Sequence, residues 1–285
     1  MTSHETQSGQ APTRACDLCQ GSSSEALLSK NGADYRRCLA CGFVFGDYSQ
    51  EEWDRRNADV FEASLEEYAA KSYTPAKQRR YGRRLSVLEP YRGEGNLLEI
   101  GSNVGGFLHA ARSAGWSPVG IEPVAACAEY ARSERGLQVH ACTLEAAEFP
   151  SDHFDALYSN AVFEHLWSPT RTLAEATRVL RPGGVVFLDT VNYDSYTRRF
   201  LEEKWKLYDP AMHACLYTPD TLKRLCVGAG LTPLWMRSHR VHLRPNAAPR
   251  LGRIARRVEE LVKLPFGLAA RWRLRGESIQ VLARK

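Results

Sequence analysis

The sequence predicts an α/β fold, an open sheet with helices on both faces, preceded by a small four-cysteine module. Three observations carry this expectation. Asn96–Glu122 reads as strand, glycine turn, helix, strand and terminal carboxylate. Further strand-length apolar runs alternate with helical periodicity as far as residue 283, the pattern of stacked βα units. Two Cys-x2-Cys pairs, Cys16/Cys19 and Cys38/Cys41, stand in front with 18 residues between them.

The central stretch opens with Leu97-Leu98-Glu99-Ile100, too short for a helix and closed by Gly101, which marks a buried strand feeding a tight turn. Gly101, Gly105 and Gly106 let the backbone bend close to a ligand where a Cβ would clash. Phe107, Leu108, Ala111 and Ala114 follow at helical spacing, with Gly115 as the stop. A second strand, Pro118–Ile121, ends in Glu122, 21 residues beyond Gly101. An acidic group at that place accepts hydrogen bonds from ribose hydroxyls.

The spacing G-S-N-V-G-G is not the G-x-G-x-x-G of a dinucleotide site. With Glu99 two positions before Gly101, the stretch resembles the first motif of the class I S-adenosylmethionine-dependent methyltransferases, [D/E]-x-G-x-G-x-G. Glu99, Gly101 and Gly105 match, and Asn103 replaces the middle glycine, a residue that tolerates positive φ. The resemblance implies a Rossmann-like methyltransferase sheet and S-adenosylmethionine as cofactor. It places cofactor contacts at Glu99, Gly101, Ser102, Asn103, Gly105, Phe107, Glu122 and Pro123.

At 285 residues the chain holds one α/β domain and a small accessory module. Its 44% hydrophobic and 25% charged content is ordinary for a globular protein. No apolar run reaches 18 residues, so no membrane span is expected. The first residues lack an apolar h-region and read as a disordered tail, 1–14, not a secretory signal. The eight cysteines suit a reducing, cytoplasmic setting better than a disulfide scaffold. A net charge of +5 is too modest to argue for nucleic acid.

Within residues 15–48, Cys16, Cys19, Cys38 and Cys41 offer a closed four-thiolate set suited to structural Zn2+. Such ribbons precede the catalytic domain in bacterial methyltransferases of sugars and other small metabolites, which this order resembles. Residues 49–92 read as a helical linker and cofactor cap, with Tyr73 or Tyr81 near the methionine end by the same resemblance, or simply as packing aromatics. A methyltransferase domain then occupies 93–285. Val124–Arg135 is a helix and Leu137–Val139 a third strand. The resemblance sets Thr143 and Leu144 beside adenine. Phe154–Ser159 is the fourth strand, and Asn160 and Ala161 run off its C-terminal end, the edge where open α/β sheets place ligands.

Ser168 is the expected cap of a helix that opens with Pro169, and the turn Arg181-Pro182-Gly183-Gly184 ends it before a strand at 185–189. That turn and the phrase F-E-H-L-x-x-P at 163–169 resemble the quinone-methyltransferase-like branch. The branch places the acceptor near His165. His213 lies in the irregular stretch 193–217, read as an acceptor lid. Thr218-Pro219 starts the next helix, and Leu234–Met236 and Ser278–Ala283 are the last strands. Between them, 240–275 holds ten Lys/Arg against two Glu. Its segment 249–264 is an amphipathic basic helix that packs on the sheet or contacts an anionic membrane surface or phosphorylated substrate.

The reading is methyl transfer from S-adenosylmethionine to a small polar acceptor, first a hydroxyl of a sugar or nucleotide-linked sugar. His165 or His213 serves as base, or positioning alone carries the reaction. rRNA or tRNA base methylation is the alternative. It is disfavoured because the ribbon offers few cations or aromatics (Lys30, Tyr35, Arg36, Arg37). A non-catalytic interaction protein with a vestigial pocket is the second. The acceptor, the atom methylated and the oligomeric state stay open.

Overall fold

The computed structural model describes residues 14–55, 65–241 and 272–285. Strand β4 (Asn96–Ile100) lies inside a seven-stranded sheet with β5 (Ser117–Ile121), β6 (Gln138–His140), β7 (Phe154–Asn160), β8 (Leu180–Val191), β10 (Thr232–His239) and β11 (Ser278–Arg284). The order is β10-β11-β8-β7-β4-β5-β6. The pairs β6–β5, β5–β4, β4–β7 and β7–β8 are parallel, whereas β11 enters antiparallel between β8 and β10.

Central strands covered on both faces must be apolar on both, and Leu97, Leu98, Ala156 and Leu157 are all fully buried. One face carries Tyr158, Phe187 and Leu282 beneath helices α2 (Pro75–Leu88) and α3 (Gly106–Ser113), through Leu85, Leu88 and Phe107. The opposite face carries Leu98, Leu157, Val186 and Leu188. There α5 (Pro169–Val179) and α7 (Pro219–Gly228) bring Leu173, Ala176, Leu222 and Leu225. Helix α4 (Ala125–Ser133) packs Ala128 and Ala131 closely on Leu108, Leu137 and Val139. A short α1 (Leu65–Ser72) precedes α2. The turn expected to precede the fifth strand is built into it. β8 starts at Leu180, pairs with Phe154, and shifts register before Val185 resumes against Ala156.

A second, four-stranded sheet has the order β1-β2-β3-β9. Three strands come from the N-terminal module, β1 (Ser24–Lys30), β2 (Ala33–Cys38) and β3 (Val44–Gly46). The fourth, β9 (Cys215–Leu216), belongs to the stretch that the sequence left irregular. That stretch also forms a helix, α6 (Tyr196–Leu201). Its Tyr193, Leu201, Trp205 and Tyr208 share a buried cluster with Tyr35, Val44 and Leu216, and Tyr35 stacks on Tyr208 with ring centroids 5.4 Å apart.

The cap of α5 differs from the expectation. Ser168 makes no side-chain cap; its hydroxyl donates to Asp17 Oδ1 at 2.8 Å, while Asp17 Oδ2 accepts from the Thr170 amide at 3.0 Å. The carboxylate between two cysteines therefore caps a helix of the larger unit, where a negative charge also suits the helix dipole. Residues 1–13 and 242–271, and with them the expected amphipathic helix 249–264, lie outside the described residues. Among the described residues no helix is long and apolar enough to cross a membrane.

Asp17→Ala should remove this cap and cost about 1 kcal/mol of stability. The readout is the urea midpoint at pH 7, and Ser168→Ala, which leaves the Thr170 bond in place, should cost less.

Candidate active site

β4 ends on Gly101 at φ +72°. The amides of Gly101 and Ser102 both donate to Ile121 O, at 2.9 and 3.0 Å, which ties the turn to the end of β5. A Cβ on Gly101 would sit 2.4 Å from Val162 Cγ2. Asn103, in place of the family's glycine, takes φ +48° and stabilises the bend by accepting the Val104 amide on its own Oδ1 at 2.8 Å. Glu122 accepts the Asn103 amide on Oε2 at 2.8 Å and the Val124 amide on Oε1 at 2.9 Å. Each oxygen keeps a further acceptor position. Burial raises its pKa, against the pull of those two amides. Glu99 beside it is buried as well, and its Oε2 has no partner among the described residues. Burial, then the charge of Glu122, pushes Glu99 well above the usual carboxylate range.

The structure separates side-chain from backbone roles around this turn. The Phe107 ring is buried and stacked 3.7 Å from Tyr158, and Ser102 Oγ is buried against Gly120. This leaves the backbone of these two residues facing the turn. Tyr73 donates to Val104 O at 2.5 Å, with the Arg135 guanidinium 4.0 Å over its ring. Tyr81 meets Phe107 edge-on and lies 3.2 Å from where a Gly106 Cβ would be. Both tyrosines press on the glycine turn. Pro123 and Thr143 are exposed and Leu144 is buried.

At the neighbouring strand ends, Asn160 closes β7 and Ala161 takes φ +56° while its amide donates to Asp189 O at 2.8 Å. A 3-10 turn, Phe163–His165, follows. Glu164 is only 2% exposed and accepts a 2.6 Å bond from Thr190 Oγ1; burial lifts its pKa to about 7. His165 and His213 face each other with ring centroids 4.9 Å apart. Burial, followed by the charge of His213, lowers His165 to about 3, and burial lowers His213 to about 4. Both imidazoles are therefore neutral at pH 7. His213 Nδ1 donates to Leu207 O at 3.1 Å, which leaves Nε2 as its acceptor. The candidate ligand atoms of Glu164, His165 and His213 lie within 4.8 Å of one another, close enough to share a small cation.

The N-terminal module holds this pair in place. Tyr35 Oη donates to His213 O at 2.8 Å, Gly46 N to Ala214 O at 2.8 Å, and Trp53 Nε1 to His165 O at 2.8 Å. Within the module, the four sulfurs of Cys16, Cys19, Cys38 and Cys41 lie within 4.8 Å of one another. Cys16–Cys41 and Cys19–Cys38 are each 3.6 Å apart, too long for a disulfide. Four bonds of about 2.3 Å in a tetrahedron place sulfurs about 3.8 Å apart, so the set fits one Zn2+. Burial raises Cys41 to about 11, a penalty that a cation would offset.

Residues 71–234 match the methyltransferase domain family. The chain belongs to that family. Among curated relatives, this methyltransferase is 27% identical over 165 residues to a ubiquinone biosynthesis O-methyltransferase of Dinoroseobacter shibae, covering 54% of this chain and 66% of that one. It is 33% identical over 116 residues to a tRNA U34 carboxymethyltransferase of Syntrophotalea carbinolica, covering 38% and 35%. An uncharacterised protein of Methanocaldococcus jannaschii matches at 27% over 146 residues, 51% of this chain and 68% of that one. Apart from that protein, the relatives named here are spanned over less than two thirds of their own length. Among solved structures, an S-adenosylmethionine-dependent methyltransferase of Thermotoga maritima superposes with TM-score 0.53 at 21% identity, over 80% of this chain and 99% of that one. The fold is the class I S-adenosylmethionine-dependent one.

Sequence reading missed a set of residues beside Asn160. Arg84, from α2, pairs with Asp189 Oδ2, and Lys77 and Arg80 precede it on the same helix. The available signal was their i, i+3, i+7 spacing, which puts three cations on one helical face.

The histidine pair also sets a pH dependence. Unfolded histidines protonate near 6.5, these only near 3 and 4, so their contribution is lost as pH falls below about 6.5. Glu164, raised to about 7, acts oppositely between about 4.5 and 7, when the folded state holds its proton. Glu99 and Glu122, also raised by burial, act in the same sense as Glu164, so the histidine contribution is read as a difference between proteins. Removing two groups that bind protons only when unfolded, a His165→Gln/His213→Gln variant should lose less stability on acidification from 6 to 5 than the wild type, by at most about 2.7 kcal/mol per pH unit. Urea unfolding at pH 5, 6 and 7 checks it, and identical slopes in both proteins would remove the neutral pair.

Proposed function

We propose that this methyltransferase methylates a hydroxyl of a small polar acceptor, a sugar or nucleotide-linked sugar first. The observation that carries the proposal is a neutral histidine pair, His213 buried and His165 half-buried, beyond the end of β7, one strand from the glycine turn. S-adenosylmethionine, when bound, supplies a methyl group on positively charged sulfur. Glu122 is suited to its ribose through the acceptor positions its carboxylate retains, and the backbone of residues 101–105 to its close approach. Lys77, whose ammonium feels Glu99, suits the methionine carboxylate.

An acceptor hydroxyl becomes strongly acidic as its oxygen bonds to carbon, so a weakly basic imidazole suffices to take the proton. His165 is assigned that step. Glu164, across the same 4.8 Å cluster, would steady the imidazolium once ionised, and His213 orients the acceptor. Against an RNA substrate, the cations and aromatic of the ribbon are already engaged. Tyr35 is fully buried, Arg36 and Arg37 pair with Asp47 and Glu25, and Lys30 bonds Glu203 O and Tyr208 O. We assign structural Zn2+ to the four cysteines, where a closed thiolate set leaves no position for substrate.

Glu122→Ala should weaken S-adenosylmethionine binding by about 1.5–3 kcal/mol in calorimetry; unchanged affinity would remove the cofactor assignment. His165→Ala should lower kcat by about 10²–10⁴-fold with cofactor affinity kept, and His213→Ala should chiefly raise the acceptor KM. If both variants keep wild-type kcat, positioning alone carries the reaction. Elemental analysis should return one zinc per chain. Chelation should open the ribbon to protease and lower kcat, because β3 and Tyr35 hold the His213 segment, while S-adenosylhomocysteine still binds.

A further inference from the structure

The acceptor end of the sheet gathers more positive charge than its carboxylates can balance. Lys77, Arg80 and Arg84 lie along one face of α2, and Arg240 follows the end of β10. Asp189 Oδ2 is the counter-charge. It pairs with Arg84, accepts from Gln280 Nε2 at 3.0 Å and has His239 Nε2 at 3.9 Å. Arg84 is 8% exposed; its plane lies over Phe187, 4.9 Å from the centroid, and its Nη1 is buried with no hydrogen-bond partner. Arg80, Arg240 and Lys77 form no ion pair with the described residues, and Lys77 meets only the Tyr81 ring, at 5.4 Å. These cations sense one another. Burial, then the charges of Arg240 and Arg84, lowers Arg80, and burial, then Arg80, Arg240 and Arg84, lowers Lys77.

Like charges converging in a partly desolvated place destabilise the free protein unless an anion joins them. The place is specific. The carbonyl of Asp189 accepts the Ala161 amide, so the group stands next to the strand ends where the transferred methyl is expected. We propose that Arg80, Arg84 and Arg240 form an oxyanion subsite that holds a phosphate group of the methyl acceptor. This rests on the methyltransferase reading above and narrows its substrate to phosphorylated molecules, a nucleotide-linked sugar among them.

Charge count decides between phosphate and carboxylate. Asp189 balances Arg84, and the cofactor's own carboxylate suits Lys77, which leaves Arg80 and Arg240 uncompensated among the described residues. A phosphate ester or diphosphate brings close to two negative charges or more and three or more acceptor oxygens, whereas a carboxylate brings one. Guanidinium groups grip such oxygens in bidentate fashion, and the orphaned Arg84 N–H gains an acceptor when one enters.

The test is a calorimetric titration of inorganic pyrophosphate into the full chain at fixed ionic strength, with the cofactor site saturated by S-adenosylhomocysteine. One saturable site is expected, weakened about tenfold or more by Arg80→Gln and further by Arg80→Gln/Arg240→Gln, with S-adenosylhomocysteine affinity unchanged. Neither substitution touches a described hydrogen bond, so both proteins should fold. Absence of saturable binding, equal binding by the double variant, or acetate binding as tightly as pyrophosphate would overturn the subsite. Failure of the wild type to bind S-adenosylhomocysteine would instead strike the methyltransferase reading, and the same pyrophosphate titration without it still decides the subsite.

Discussion

Two residue pairs, Val44 with Leu216 and Phe45 with Cys215, join the cysteine module to the catalytic unit, and the arrangement of the acceptor end follows from them. Because β9 must complete the small sheet, His213 two residues earlier is fixed against His165. Tyr35, fully buried, fastens the same segment through the carbonyls of Asp209 and His213. So short a strand could not hold by itself. It is held by the surrounding core, where Phe43 and Phe45 join Tyr217 and Cys215 in the same cluster as the large sheet. The four sulfurs fix the far end of β2 and the start of β3. The four-cysteine module thus packs against the segment that carries His213, and Asp17 links its cysteine turn to α5.

The second organising theme is buried ionisable chemistry kept uncharged. Glu99, Glu164, His165 and His213 are all shifted toward their neutral forms, in each case chiefly by burial. Such shifts are characteristic of sites that handle protons or receive a charged ligand. Burial shifts Glu122 the same way, but two backbone amides stabilise its charge and pull against that shift, so of the adjacent pair it is the carboxylate suited to remain an acceptor while Glu99 is suited to be a donor. Environment sets those two roles on residues of the same chemistry.

The cations of α2 follow the same logic with opposite sign. Arg84 is buried and paired with Asp189, while Arg80 and Arg240 pair with no carboxylate among the described residues. Among the described residues this end of the sheet is therefore electrically graded, from the adjacent carboxyls Glu99 and Glu122 at the glycine turn to guanidinium groups beyond Asn160. A ligand that spans both ends would match the gradient.

What the sequence determined by itself was local. The glycine turn, Glu122 and the paired cysteines could be read because each depends on spacing within a turn or a single βα unit, and backbone sterics act over a few residues. The strands through Ala283 could be read because burial on both faces demands continuous apolar runs. Asn103 also followed from its own tolerance of positive φ. Tertiary structure decided everything that needed residues distant in the chain. Ser168 had the composition of a cap, but Asp17, 151 residues away, took the bond. Phe107 stood in the motif, yet core packing against Tyr158 claimed its ring. The stretch 193–217 showed no periodicity because its order comes from Tyr35 and β3, not from its own repeat. Nothing local marks Arg84 for burial; Asp189, 105 residues later, draws it inward. Only folding measures how completely a side chain is removed from water, and that sets which of these groups are charged.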